Sequence, residues 1–209
     1  MAFLADIHGN LAALDAVLAE LREVGAHNIY VAGDLFLGGD DPVGVWHRLQ
    51  ERRARCVRGP SDLALATLDP ARVRPRSDAE RRALDRFIAT RRALGELVLA
   101  RLRRLPLAIR LELPDQTNVL VMHGTPRDPD RYFTPDLSDE EMESLLGDDP
   151  ADLVLCGGSH VPFTRALDAV EVVSVGSVGE CPDEGVACFA LLRPGSSGPV
   201  VEPRYVRYR

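Results

Sequence analysis

Phe3-Leu4-Ala5-Asp6-Ile7-His8-Gly9-Asn10 decides how this chain is read. A short apolar run ends at a carboxylate and an imidazole two residues apart, and glycine and asparagine follow at once. Behind them Leu11, Leu14, Val17, Leu18 and Leu21 recur at helical spacing, with Gly25 placed to cap the helix. Where a buried strand opens into a loop, both polar side chains can turn toward one metal ion.

The same grammar repeats downstream. Residues 28–32 read as a buried strand ending at Gly33-Asp34. Asp41-Pro42 supplies an N-cap and a proline at the first helical position, and Val45, Trp46 and Leu49 mark the apolar face. Residues 55–58 form a third strand, ending at Gly59-Pro60-Ser61-Asp62. Strand, helix, strand, helix, strand is the pattern of a parallel sheet with crossover helices.

Ser77 with Glu80 makes a capping box for a long arginine-rich helical region, which Gly95 divides and Pro106 closes. Residues 107–113 and 118–122 predict a hairpin about Pro114-Asp115-Gln116, and its second strand runs into His123-Gly124. Ser138 with Glu141 opens a short helix ending near Gly147. Residues 153–156 are a strand running into Gly157-Gly158-Ser159-His160. From Phe163 onward the pattern is strand-like, with turns at Asp168, Gly176-Ser177 and Pro194-Gly195. With no repeat, low-complexity tract or linker, the expectation is one α/β domain over residues 1–209.

Composition bounds the function. The 209 residues allow one sizeable core, and 45% hydrophobic residues is ordinary for a globular protein. No apolar run approaches a membrane span, and Asp6 and His8 break any signal-peptide pattern, so a cytoplasmic protein is expected. A net charge of −7 and a pI of about 5.3 argue against an extended nucleic-acid surface. The arginines from Arg81 to Arg104 read as a solvated helix face with few aromatics. The four cysteines form no CxxC pair, which argues against a zinc knuckle and for reduced thiols.

Each chemistry-bearing piece follows a strand, and in open α/β sheets ligands bind beyond the carboxyl ends of strands. Asp6, His8, Asp34, His123 and His160 make a hard oxygen and nitrogen set that suits manganese first, and also iron, zinc or magnesium. His123 reads equally as a core histidine bonded to backbone. Arg58 and Arg127 stand beside motif pieces and are candidates to touch a phosphate, or are ordinary exposed arginines. His27 and His47 lie outside the motifs and read as surface residues. Ser61 and Cys156 lack the partners a nucleophile needs.

In order and spacing, Asp6-Ile7-His8, Gly33-Asp34, Gly59-Pro60-Ser61-Asp62, His123-Gly124-Thr125-Pro126-Arg127, Gly157-Gly158-Ser159-His160 and Val175-Gly176-Ser177-Val178-Gly179 are similar to one family pattern. The chain resembles the calcineurin-like metallophosphoesterases, in particular the small bacterial phosphodiesterases and phosphatases of the diadenosine-tetraphosphatase-like type. The resemblance implies a four-layer sandwich of two β-sheets flanked by helices, with metal at its edge. It implies that Asp6, His8, Asp34 and His160 hold one ion and that Asp34 bridges to a second, also held by His123. It implies hydrolysis of a phosphate ester or nucleotide by a water that the ions activate.

Three positions depart from that pattern. Pro60 stands where the family has an asparagine ligand, Gly158 where it has a histidine, and Ser61 where it has a histidine acid. Asp62, which would orient that acid, is left without its partner. One ion rather than two is therefore expected. Loss of a general acid costs about 10²–10⁴ in rate, so esters with good leaving groups are the expected substrates. The alternative is an inactive paralogue that binds a nucleotide or a phosphorylated partner. Only five residues precede Asp6, so the strand there is expected to be short, or the true start to lie upstream.

Overall fold

Residues 1–195 and 198–208 are described by a computed structural model. Strand β1 (Ala2–Leu4) leads through helix α1 (Leu11–Glu23) to β2 (Ile29–Ala32), and α2 (Pro42–Glu51) leads to β3 (Arg55–Val57). Helices α3 (Pro60–Thr67) and α4 (Asp78–Leu102) follow. Then come β4 (Ala108–Glu112), β5 (Asn118–Met122), α5 (Asp139–Leu146), β6 (Leu153–Cys156), β7 (Phe163–Ala166), β8 (Glu171–Ser174), β9 (Val186–Gly195) and β10 (Gly198–Arg207). They assemble into two five-stranded sheets, ordered β10-β9-β1-β2-β3 and β4-β5-β6-β8-β7. The three-residue β1 lies at the centre of its sheet, parallel to β2 and antiparallel to β9.

Side-chain alternation builds the layers. Ala2 and Leu4 of β1 face an outer core shared with α1, α2 and α4, while Phe3 and Ala5 face the other sheet. In the second sheet, Val119, Val121, Leu153 and Leu155 face inward, and Leu120, Met122, Val154 and Cys156 pack outward against α5. Strands apolar on both faces must be covered on both faces, which sets the order helix, sheet, sheet, helix. The expected four-layer α/β sandwich is the fold.

Local signals act where expected. Asp41 caps α2 by accepting from Gly44 N at 2.7 Å. Ser138 and Glu141 close a reciprocal capping box on α5. Gly25, at φ +68°, ends α1 with bonds from Gly25 N to Arg22 O and Ala26 N to Leu21 O. Gly95, at φ 70°, breaks α4. The β4–β5 hairpin pairs Ala108 with Met122 and Glu112 with Asn118. Helix α3 is an addition to the sequence reading, and its start fits the rules: Gly59 at the N-cap, Pro60 in the first turn and Asp62 at the third position. Among the described residues no helix is long and apolar enough to cross a membrane.

The inter-sheet core depends on Phe3, which is buried and stacks on Tyr30 with ring centroids 5.2 Å apart. Phe3→Ala is expected to lower unfolding free energy by about 3–5 kcal/mol in urea denaturation. Leu97→Ala, at a side chain 73% exposed, is the control and should cost under about 0.5 kcal/mol.

Candidate metal centre

Asp6, His8, Asp34 and His160 all adopt the left-handed backbone region, at φ +54°, +49°, +53° and +59°. Non-glycine residues there cost on the order of 1–3 kcal/mol each and persist only where surroundings hold them. The surroundings are explicit. The turns after β1 and β2 run side by side, with Asp6 N donating to Gly33 O and His8 N to Asp34 O, both at 3.0 Å. The loop before β9 clamps the first turn from its other side: Ser177 Oγ and Gly179 N both donate to Asp6 O, at 2.8 and 2.9 Å. A Cβ at residue 179 would collide with the Ile7 carbonyl, so this clamp requires glycine.

These turns bring the predicted ligands together. Asp6 Oδ1 lies 3.4 Å from His160 Nε2, 3.7 Å from His8 Nε2 and 3.9 Å from His123 Nδ1. His123 Nε2 lies 3.6 Å from Asp34 Oδ2. Two triads result, Asp6-His8-His160 and Asp6-Asp34-His123, each with its donor atoms within 4.8 Å of one another. Asp6 is common to both triads. Asp34 Oδ1 accepts from Ser61 N at 3.0 Å, and its Oδ2 faces His123.

The polar atoms fit a cation. Asp6 Oδ1 and His123 Nε2 are buried and have no hydrogen-bond partner. An orphaned buried carboxylate oxygen is costly, and a cation satisfies it. His8 Nδ1 and His123 Nδ1 bond the carbonyls of Leu37 and Ala32, each at 2.7 Å. Those bonds place the ring proton on Nδ1 and aim the Nε2 lone pair inward, the usual arrangement for a metal-ligating histidine. His123 is thus bonded to backbone, and its other nitrogen is bare. His8 Nε2 and His160 Nε2 face each other at 3.2 Å, a spacing at which both cannot carry protons.

Charge follows from this crowding. Burial alone would raise the Asp6 carboxyl, but contacts with His160 and His8, the charge of His123 and the Gly158 N–H hold it at about 2. Burial works against a charged His8, yet Asp6 and the negative Glu180 outweigh it and push the imidazole up to about 9. His160 is likewise raised, first by the Asp6 carboxylate 3.4 Å away. With no cation bound, the first triad thus favours a proton on His8, which a cation must displace. Its open side is at His160, whose side chain is 29% exposed, and at Glu180.

Residues 1–196 match the family model of the calcineurin-like phosphoesterase superfamily domain. The chain belongs to that superfamily. An uncharacterised protein of Methanocaldococcus jannaschii is 25% identical over 208 residues, 95% of this chain and 76% of its own length. A hypothetical protein from Pyrococcus horikoshii has a similar structure, with a TM-score of 0.81 and 23% identity over 99% of this chain and 86% of that one. A metallophosphoesterase from Sphaerobacter thermophilus superposes with a TM-score of 0.74 and 24% identity, covering 100% of this chain and 88% of the other.

Where the chain departs from the superfamily's pattern, the structure gives each position a surrounding. Pro60 begins α3, and Ser61 donates its backbone N–H to Asp34. The Ser61 hydroxyl is enclosed and has no hydrogen-bond partner. The Asp62 carboxylate is buried and takes three backbone donors. It accepts from Asp34 N at 2.8 Å, Leu35 N at 3.0 Å and Gly59 N at 3.0 Å, tying the second turn to the start of α3. Burial, then the charge of Asp34, pushes its carboxyl up to about 7 despite those donors. Arg58 bonds Arg103 O and lines a small cavity of about 30 Å³ with Pro60 and His123. Arg127 is not gathered to the centre. Its backbone bonds Leu145 O, and it lines a separate cavity with Gly147 and Asp149 at the end of α5.

Two residues at the centre escaped the sequence reading. Glu180 Oε2 lies 3.8 Å from both His8 Nε2 and His160 Nδ1. It follows the Gly176-Ser177-Val178-Gly179 run directly, which was signal enough to include it. Tyr132 packs edge-on against His123, centroids 5.5 Å apart at 90°. Nothing in its neighbours marks it as a site residue.

Because His8 is protonated below about pH 9 in the metal-free protein, cation binding must release its proton. Calorimetric Mn²⁺ affinity is expected to rise with pH, by about tenfold per unit per proton released, up to about pH 9. An affinity independent of pH below that point would remove His8 from the ligand set.

Proposed function

We propose that this chain is a metal-dependent phosphoesterase acting on a phosphodiester or nucleotide phosphate, with Asp6, His8 and His160 as the principal cation ligands. Asp34 and His123 form the adjoining half of the centre. The observation that carries this reading is the pair of enclosed, unpartnered atoms, Asp6 Oδ1 and His123 Nε2, facing ligand-type neighbours at 3.4–3.9 Å. Membership of the phosphoesterase superfamily supplies the reaction class.

A bound divalent cation supplies a Lewis acid for phosphoryl oxygen and lowers the pKa of water. The chain's own residues do the rest. The Nδ1 bonds of His8 and His123 fix their rings, and Asp62 fixes the Asp34 turn. Manganese is the ion we infer first, from the hard mixed donor set. One ion fits the Asp6-His8-His160 triad better than two, since Pro60 and Gly158 offer no side-chain donor. With no imidazole at 61, the leaving group must depart with little proton assistance, so aryl diesters and anhydrides are the favoured substrates.

A second reading, ligand binding without turnover, is favoured by the enclosed Ser61 hydroxyl and the bare Gly158. The two separate in one experiment. Manganese content and hydrolysis of an aryl phosphodiester are measured for the native protein and for Asp34→Ala. Metal-dependent turnover that falls about 10²-fold or more in the variant is expected. No turnover, with or without bound metal, would overturn the enzyme reading in favour of the binding one.

A further inference from the structure

Gly158 is bare for a structural reason. A Cβ there would stand 2.6 Å from Cε1 and 2.8 Å from Cγ of Tyr132, and closer still to Cδ1. The Tyr132 ring thus occupies the volume that a side chain at 158 would fill. The same ring meets His123 edge-on, beside the imidazole whose Nε2 is bare. Residue 158 and residue 132 compete for one space, and in this chain the tyrosine holds it.

The ring is held firmly. Phe133, the next residue, is fully buried in the outer core with Met122 and Met142. Thr125 Oγ1 donates to Asp128 O at 2.9 Å, and Arg131 N donates to the same carbonyl at 3.1 Å, closing the loop into tight turns. Gly124 lies under the carbonyls of Pro129 and Arg131, so the loop sits directly on the residue after His123. Among the described residues no hydrogen bond is made by the Tyr132 hydroxyl. The geometry that relates it to the centre is the ring itself, which lies against Gly158 on one side and meets His123 edge-on.

We propose that Tyr132 stands in for the side chain missing at 158 and donates its phenolic hydrogen to an oxygen of phosphate bound at the centre. A neutral phenol offers one donor and no charge, so it serves the phosphate where an imidazole would serve a cation. The second half of the centre then binds its anion through Tyr132 rather than through a fully ligated second ion. This assignment rests on the phosphoesterase reading and deepens it. It also means that Gly158→His cannot restore a metal ligand while Tyr132 is present. The incoming ring would meet the phenol, on a backbone already at φ +82°.

The test uses the manganese-loaded full-length chain and inorganic phosphate as the probe. Tyr132→Phe keeps the ring and removes the hydroxyl. Phosphate should bind about 10-fold to 100-fold more weakly to the variant, the range for a hydrogen bond to a charged group, with Mn²⁺ affinity unchanged. On an aryl phosphodiester, KM should rise more than kcat falls. Equal phosphate affinity in native and Tyr132→Phe protein overturns the assignment and leaves the phosphoesterase reading intact. Loss of Mn²⁺ affinity in Tyr132→Phe overturns it in favour of a metal-ligating phenol. Failure of the native, manganese-loaded chain to bind phosphate removes both readings together. The space argument is checked separately by thermal melting. Gly158→Ala should cost less in a Tyr132→Ala background than alone, because backbone strain is common to both and only the ring differs; equal costs would refute the shared volume.

Discussion

The centre depends on four non-glycine residues held in left-handed turns at the carboxyl ends of strands. At about 1–3 kcal/mol each, Asp6, His8, Asp34 and His160 would relax to ordinary backbone if left alone. They do not relax because each turn is bonded to another turn rather than to solvent. The Asp6 turn leans on the Asp34 turn through backbone bonds, and Ser177 and Gly179 close over it. The Asp34 turn is gripped by the Asp62 carboxylate, and Gly158 N bonds Asp6 Oδ2 at 2.9 Å. The result is a rim on which the Asp6 and Asp34 carboxylates and three imidazoles each stand within 3.9 Å of a neighbour.

Much of this was legible because strand ends and glycines leave strong marks. The apolar runs Phe3-Leu4-Ala5 and residues 119–122 gave buried strands, and the polar residue after each gave the rim. Asp6, His8, Asp34, His123 and His160 could be named because each directly follows such a strand or its glycine turn. Residues whose role depends on distant packing could not. Tyr132 is nine residues past His123 in a loop of prolines and aspartates, and only the burial of Phe133 brings its ring back. Asp62 was visible as a carboxylate, and its bond from Gly59 N follows from helix-start spacing, but its two donors from Asp34 and Leu35 lie in a distant segment that no local spacing reveals. Arg127 could be read two ways because adjacency in sequence to His123 does not fix adjacency in space: the chain turns at Thr125 and carries it to the end of α5.

The departures from the superfamily pattern look like isolated losses in the sequence, yet in space they form one arrangement. Pro60 and Ser61 are the first residues of α3, where a missing N–H at proline costs nothing and the Ser61 N–H serves Asp34. Gly158 leaves the room that Tyr132 fills. In this chain each of these positions serves a backbone contact, a helix start or a packed ring.

That arrangement divides the chemistry unevenly. The Asp6-His8-His160 side retains donors, depth and an opening past His160, which are what a cation and its anion need. The Asp34-His123 side retains two donors and gains a phenol. A general acid contributes about 10²–10⁴ in rate, whereas positioning of a phosphate can be supplied by any rigid donor. A site that loses the first and keeps the second still selects a phosphate, but its turnover follows the leaving group. For such a site the rate should track leaving-group acidity steeply, while phosphate affinity should be set by Tyr132 and the cation.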